Sequence, residues 1–135
     1  MKQSKNIIFK YRLYGRSRGR NKNNLEKIDF SNIKINKIDP LKYNVVDIGP
    51  GYGESTIEIA KTNNSKIVIA CEKYIDGINN LIKEIDRNSL KNVYIFDGNA
   101  NQFLDEYCTT QSISELWILF PDPWPKKKHF KRRLI

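Results

Sequence analysis

The sequence predicts an α/β fold in which a parallel sheet carries helices on both faces. Three observations lead there. Short apolar runs alternate with stretches of helical period, the first run ends in a cluster of glycines, and a length of 135 residues suits one core. The first strand is Tyr43 to Ile48, running into Gly49-Pro50-Gly51-Tyr52-Gly53. Beyond the glycines, Ser55 to Lys61 sets Ile57 and Ala60 three apart, on one face of a helix. Lys66 to Cys71 is the second strand, and Tyr74 to Asn88 the second helix, with Ile75, Ile78, Ile82 and Ile85 at helical spacing. Val93 to Phe96 is a third strand, Ala100 to Tyr107 a short helix, and Leu116 to Phe120 a fourth strand stopped by Pro121. Strands joined by helices are what a parallel sheet requires, because each connection must cross back over the sheet. Before this alternation, Asn21 to Lys42 is polar, with scattered Leu25, Ile28, Phe30, Ile33, Ile35 and Ile38; it has room for a short helix or strand, and Pro40 closes it. The chain therefore divides into an arm and lead-in over 1–42 and a folded portion over 43–135.

Composition excludes other classes. With 39% hydrophobic and 11% aromatic residues the chain can build a core. Two cysteines, Cys71 and Cys108, are too few for a disulfide scaffold and have no zinc-ligand spacing, so they read as small buried residues with reduced thiols, and no metal is expected. No apolar run approaches the roughly 20 residues of a membrane span, and Ile7-Ile8-Phe9 is too short for a signal peptide. A soluble, cytoplasmic protein with no membrane partner is expected.

The net charge of +9 is unevenly placed. Residues 1–22 carry Lys2, Lys5, Lys10, Arg12, Arg16, Arg18, Arg20 and Lys22 with no acid, and residues 126–133 carry Lys126, Lys127, Lys128, Lys131, Arg132 and Arg133, again with no acid. All 15 acids lie between, against 10 basic residues, so the body is net acidic. Phe9, Tyr11 and Tyr14 lie in the first cluster, with Trp124, His129 and Phe130 around the second. Cations that neutralise phosphates beside rings that stack on bases are the composition of a nucleic-acid surface, although a solvated arm and a solvated surface run have the same charge.

The glycine loop lets backbone approach a ligand closely, with a helix N-terminus behind it. Its spacing is not the dinucleotide G-x-G-x-x-G, because the third glycine comes one residue early and Asp47 stands two residues before the first. Asp47 would repel a pyrophosphate; a cofactor bearing an amine and a positive sulfonium would be welcome. Glu72 ends the second strand, 23 residues after Gly49, where a carboxylate can accept ribose hydroxyls. Asp97-Gly98-Asn99 ends the third and offers an amide that can read an adenine edge. Polar groups at three successive strand ends line one crevice, and the combination points to S-adenosylmethionine rather than to an ordinary strand-to-helix turn.

After the fourth strand comes Phe120-Pro121-Asp122-Pro123-Trp124-Pro125-Lys126-Lys127-Lys128-His129-Phe130-Lys131-Arg132-Arg133. Prolines fix Asp122 and Trp124 beside the crevice, with lysines behind them. This stretch closely resembles the F-P-D-P-W-x-K-x-x-H-x-K-R-R signature of the tRNA (guanine-N7-)-methyltransferase family. Tyr14-Gly15-Arg16 resembles that family's N-terminal element, Asp47 to Gly53 its cofactor loop, Ala70-Cys71-Glu72-Lys73 its ribose-acid stretch and Gly98-Asn99-Ala100 its adenine-proximal element.

The resemblance implies a Rossmann-like class I methyltransferase fold, present here as about four of the family's seven strands, with 43–135 the N-terminal portion of that domain. It implies that Asp47, Gly49, Gly51, Gly53, Glu72, Asn99 and Asp122 contact S-adenosylmethionine, that Asp122 is also the active-site acid, and that Lys126 binds substrate. Arg16, Lys127, Lys128, His129, Lys131, Arg132 and Arg133 would meet the tRNA partner, and the product would be 7-methylguanine in the variable loop. Guanine N7 has a lone pair and no proton, so no general base is needed to create the nucleophile. The site must orient N7 and favour the cationic product, and Asp122 suits that work. The family carries a further stretch with a T-x-x-E element that does not occur here, so the expectation is a reading frame cut short or a second polypeptide that completes the sheet, with little activity from this chain alone. An exposed apolar strand at Leu116 to Phe120 would follow. Two other readings are an amino-methylating nucleic-acid methyltransferase, which Asp122-Pro123-Trp124 fits only loosely, and a non-catalytic RNA-binding remnant.

Overall fold

A computed structural model of the chain describes residues 28–35, 43–119 and 125–132. The elements run β1 (Tyr43–Ile48), α1 (Glu54–Thr62), β2 (Val68–Cys71), α2 (Ile75–Arg87), β3 (Val93–Phe96), α3 (Ala100–Tyr107), β4 (Ile113–Ile118) and a 3-10 helix (Lys127–Arg132). All strand pairs are parallel and the sheet order is β3-β2-β1-β4. The predicted alternation of strands and helices is the observed one.

Side chains alternate along each strand, so each strand feeds two cores. Val45, Val68, Ala70, Val93 and Ile95 face Ile57 and Ala60 of α1 and Ile78, Leu81 and Ile85 of α2. Val46, Ile48, Ile69, Cys71 and Phe96 face the other way, onto Phe103 of α3. The central strands are buried on both faces, which explains their uninterrupted apolar runs.

Two strand starts differ from expectation. β4 begins at Ile113 rather than Leu116, because its first residues pair with the start of β1, Tyr43 opposite Ile113 and Val45 opposite Glu115. Glu115 is a polar residue inside a strand; its carboxylate accepts from Lys66 Nζ at 2.8 Å, which holds it below its ordinary pKa. β2 begins at Val68 rather than Lys66, although the Ile67 carbonyl still accepts from Val45 N–H at 3.0 Å. The described part of the lead-in joins the sheet. Lys34 forms a parallel bridge with Ile95, Ile95 N–H donates to Ile33 O at 2.9 Å, and Ile35 N–H donates to Ile95 O at 3.2 Å. Phe30 and Ile35 are buried, one in each core.

Among the described residues the sheet thus has one covered edge and one open one. Beside β3 lies the 33–35 bridge; among the described residues β4 pairs with β1 alone, and Leu116, Trp117 and Leu119 are 48%, 38% and 42% exposed. Both cysteines are free thiols. Cys71 is buried, and burial pushes its thiol well above the ordinary value, whereas Cys108 is half-buried rather than buried because it follows the end of α3. Among the described residues no helix is long and apolar enough to cross a membrane.

Phe103 is fully buried between Phe96 and Tyr107, with ring centroids 5.3 and 5.9 Å away, and it is the side chain that seats α3. Phe103→Ala is expected to lower unfolding stability in urea by about 3–5 kcal/mol. A loss below about 1 kcal/mol would show that α3 is not anchored through this ring.

Candidate functional site

β1 leaves the sheet through three glycines in the left-handed region, Gly49 at φ 65, Gly51 at φ 63 and Gly53 at φ 91. Side chains rarely adopt that conformation, so the glycine pattern is a backbone requirement. The turn is held from several sides. Gly49 N–H donates to Cys71 O at 2.8 Å, Gly53 N–H donates to Pro50 O at 3.1 Å, and Asn80 Nδ2 of α2 donates to Tyr52 O at 2.7 Å. α2 also comes so close that a Cβ on Gly77 would overlap the Gly51 carbonyl, and one on Gly53 would lie 2.6 Å from Leu81 Cδ1. Sequence reasoning missed Gly77 and Asn80. The available signal was a glycine inside a helix, which costs about 1 kcal/mol relative to alanine and therefore marks a close approach.

Glu72 sits just past β2 and its carboxylate is nearly saturated by backbone. Oε2 accepts from Gly51 N–H at 2.8 Å, while Oε1 accepts from Lys73 N–H at 2.8 Å and Tyr74 N–H at 2.9 Å. A carboxylate has about four acceptor positions, so one remains, on Oε2. Nearby, Lys73 Nζ lies 3.6 Å from Asp97 Oδ1. Tyr52 and Tyr74 meet edge to face at 6.1 Å, and hydrogen bonds to Asp76 and then to Tyr52 push the Tyr74 hydroxyl up to about 12, so it stays protonated.

Asp47 is fully buried in β1, on the α1 side of the sheet. Its Oδ2 accepts from Ser55 Oγ at 2.6 Å and Thr56 Oγ1 at 2.9 Å, both from the first turn of α1. Its Oδ1 is buried and has no hydrogen-bond partner among the described residues. Burial pushes the carboxyl above its ordinary value and the two hydroxyls pull it back. A buried acceptor without a donor is costly, so Oδ1 is the atom in this loop that most lacks a ligand's N–H.

Asn99 has a structural task that the sequence did not reveal. Its Oδ1 accepts from Asn101 N–H at 2.8 Å and caps α3, so the side chain is held by the helix it begins. Asp47, the glycine loop, Glu72 and Asn99 are thereby gathered at the C-terminal ends of three neighbouring strands, as the sequence predicted. Asp122, Arg16 and Arg133 lie outside the described residues. Lys126, Lys127, Lys128 and Lys131 are exposed on or beside the 3-10 helix, with His129 and Arg132 half-buried.

An open parallel sheet with its polar groups collected beyond the strand ends, around a glycine loop that carries an acid, defines the Rossmann-like methyltransferase class. Comparison with known proteins agrees. Residues 41–135 match the family described as "Putative methyltransferase", and the chain belongs to that family. It is 34% identical over 127 residues to a tRNA (guanine-N(7)-)-methyltransferase of Neorickettsia sennetsu, covering 92% of this chain and 58% of that protein. Proteins of the same name from Paenarthrobacter aurescens and Nitrosomonas europaea are each 42% identical over 91 residues, 67% of this chain and 30% and 41% of theirs. The chain therefore spans between 30% and 58% of the length of these relatives.

Two expectations follow. Gly77→Ala must displace the glycine loop and is expected to cost about 1–3 kcal/mol in urea unfolding; unchanged stability would mean the contact yields freely. Because the Asp47 pKa is raised by folding, the folded state holds its proton more tightly, and stability falls as pH rises from the ordinary value of 3.8 through the raised one. Asp47→Asn should therefore be more stable than the parent at about pH 7, with the advantage fading toward about pH 3. An advantage independent of pH would exclude a buried charge as its cause.

Proposed function

We propose that this chain holds S-adenosylmethionine at the ends of β1, β2 and β3 and serves the methylation of guanine N7 in tRNA. The observation that carries this reading is Asp47, fully buried beside the glycine loop with one oxygen unpartnered. An anion placed there suits a ligand with a cationic amine and opposes a pyrophosphate, which separates this site from dinucleotide sites of similar topology. When bound, the cofactor supplies a methyl group activated on a sulfonium. The glycines admit its main body close to backbone, Asp47 takes the ammonium, and Glu72 takes a ribose hydroxyl on the remaining position of Oε2. Asn99 stands toward the adenine.

The name shared by the relatives supports tRNA as substrate. Lys126, Lys127, Lys128 and Lys131, all exposed, with His129, Arg132, Arg133 and Arg16, would neutralise its phosphates. Asp122 would hold the guanine and stabilise the positive charge that develops on its ring; N7 has no proton to remove, so proton abstraction is not its task. The open apolar edge of β4 supports pairing with a further strand, whether of the same polypeptide or of a second one, and the tRNA substrate supports action in the cytoplasm.

Calorimetric titration tests the cofactor half of this reading. S-adenosylmethionine is expected to bind and NAD not to, and Asp47→Asn should weaken S-adenosylmethionine about tenfold, equivalent to roughly 1.4 kcal/mol. Equal binding of the two cofactors would overturn the assignment. Methyl transfer from labelled cofactor to tRNA tests the other half. Asp122→Asn should slow turnover at least about tenfold while cofactor and RNA binding hold, and full turnover would remove Asp122 from the reaction.

A further inference from the structure

We infer that Ser55 and Thr56 are positioning residues that act through Asp47, turning its carboxylate so that Oδ1 alone faces the amine of the methyl donor. The inference rests on the cofactor reading above and extends it to two residues with no role there.

Both hydroxyls donate to the same oxygen, Oδ2, at 2.6 and 2.9 Å, and neither reaches Oδ1. The Ser55 distance is that of a hydroxyl donating to a carboxylate. Hydroxyls in the first turn of a helix ordinarily serve the helix itself, by capping or by bonding a backbone carbonyl. Here the cap residue is Gly53, with no side-chain cap, and the hydroxyls go to β1 instead. Thr56 is fully buried, a position where valine would fill the same shape, so the hydroxyl is what the site uses. Two donors on one oxygen fix the rotation of the carboxylate and stabilise its charge. They also leave Oδ1 without a partner among the described residues. Without them Asp47 would be a buried acid with no donor, and burial would oppose the charge that a cationic amine requires with nothing to offset it.

The test compares S-adenosylmethionine with 5′-methylthioadenosine, which has the same adenosine but neither the amino-acid tail with its ammonium nor the sulfonium charge. Calorimetry on the full chain measures both ligands against Ser55→Ala, the double variant Ser55→Ala/Thr56→Val, and Ser55→Ala/Thr56→Ser. The double variant should lose about tenfold in affinity for S-adenosylmethionine and stay within about twofold for methylthioadenosine; restoring a hydroxyl as Thr56→Ser should recover most of the loss. Equal loss for both ligands would mean that the hydroxyls merely support the loop and would overturn the inference, as would no loss for either. Ser55→Ala lies at a half-buried helical position where alanine is well tolerated, so if the double variant does not fold, a selective loss of about threefold in Ser55→Ala decides the matter. Should the parent bind methylthioadenosine as tightly as S-adenosylmethionine, Asp47 does not read the amine and the inference fails while the adenosine site stands. Binding of neither ligand would remove the cofactor reading itself.

Discussion

The carboxylate of Glu72 is the constraint on which this end of the molecule depends. Three left-handed glycines turn the chain away from β1; Gly49 N–H still bonds the Cys71 carbonyl of β2, and the N–H groups beyond it need partners outside the sheet. Glu72 supplies one by accepting from Gly51, and it accepts from Lys73 and Tyr74 as well, so a single side chain ties the glycine loop to the segment entering α2. Once that tie is made, Gly77 lies against the Gly51 carbonyl and Asn80 reaches the carbonyl of Tyr52. The loop is therefore held by α2 as much as by α1, which it begins.

Charge at the site follows from this backbone arrangement. Asp47 is carried into the interior by the alternation of β1, on the same side as Val45, and there it meets the first turn of α1. Burial pushes its pKa up, and two hydroxyls oppose that. All the acids lie in the body, and the runs over 1–22 and 126–133 hold none, so the net charge of +9 is a sum of regions of opposite sign rather than a property of the whole.

Much of this was legible in the chain itself. Buried parallel strands show as apolar runs, and β1, β3 and α3 have the bounds their patterns announce. The start of β4 was hidden because Glu115, a polar residue, sits in the strand and is satisfied by Lys66 from another element. The bridge from Lys34 to Ile95 was hidden because a few residues of edge pairing leave no period. Asp47, Glu72 and Asn99 stood out because polar residues that end apolar runs are conspicuous. Their helpers did not: Ser55, Thr56 and Asn80 are ordinary residues of a polar helix face until their partners are known.

By itself the sequence determined the alternation of elements, the glycine loop at Gly49, Gly51 and Gly53, and the identity of the acids at the strand ends, because each is set by local backbone preference or by residue type. Only the tertiary structure decided which atoms the polar side chains at the strand ends offer. Glu72 keeps one acceptor position, Asp47 keeps Oδ1, and Asn99 spends its oxygen on α3, each by hydrogen bonds to residues on other elements or in the turn that follows. Such bonds depend on distances across the fold, and no spacing along the chain records them.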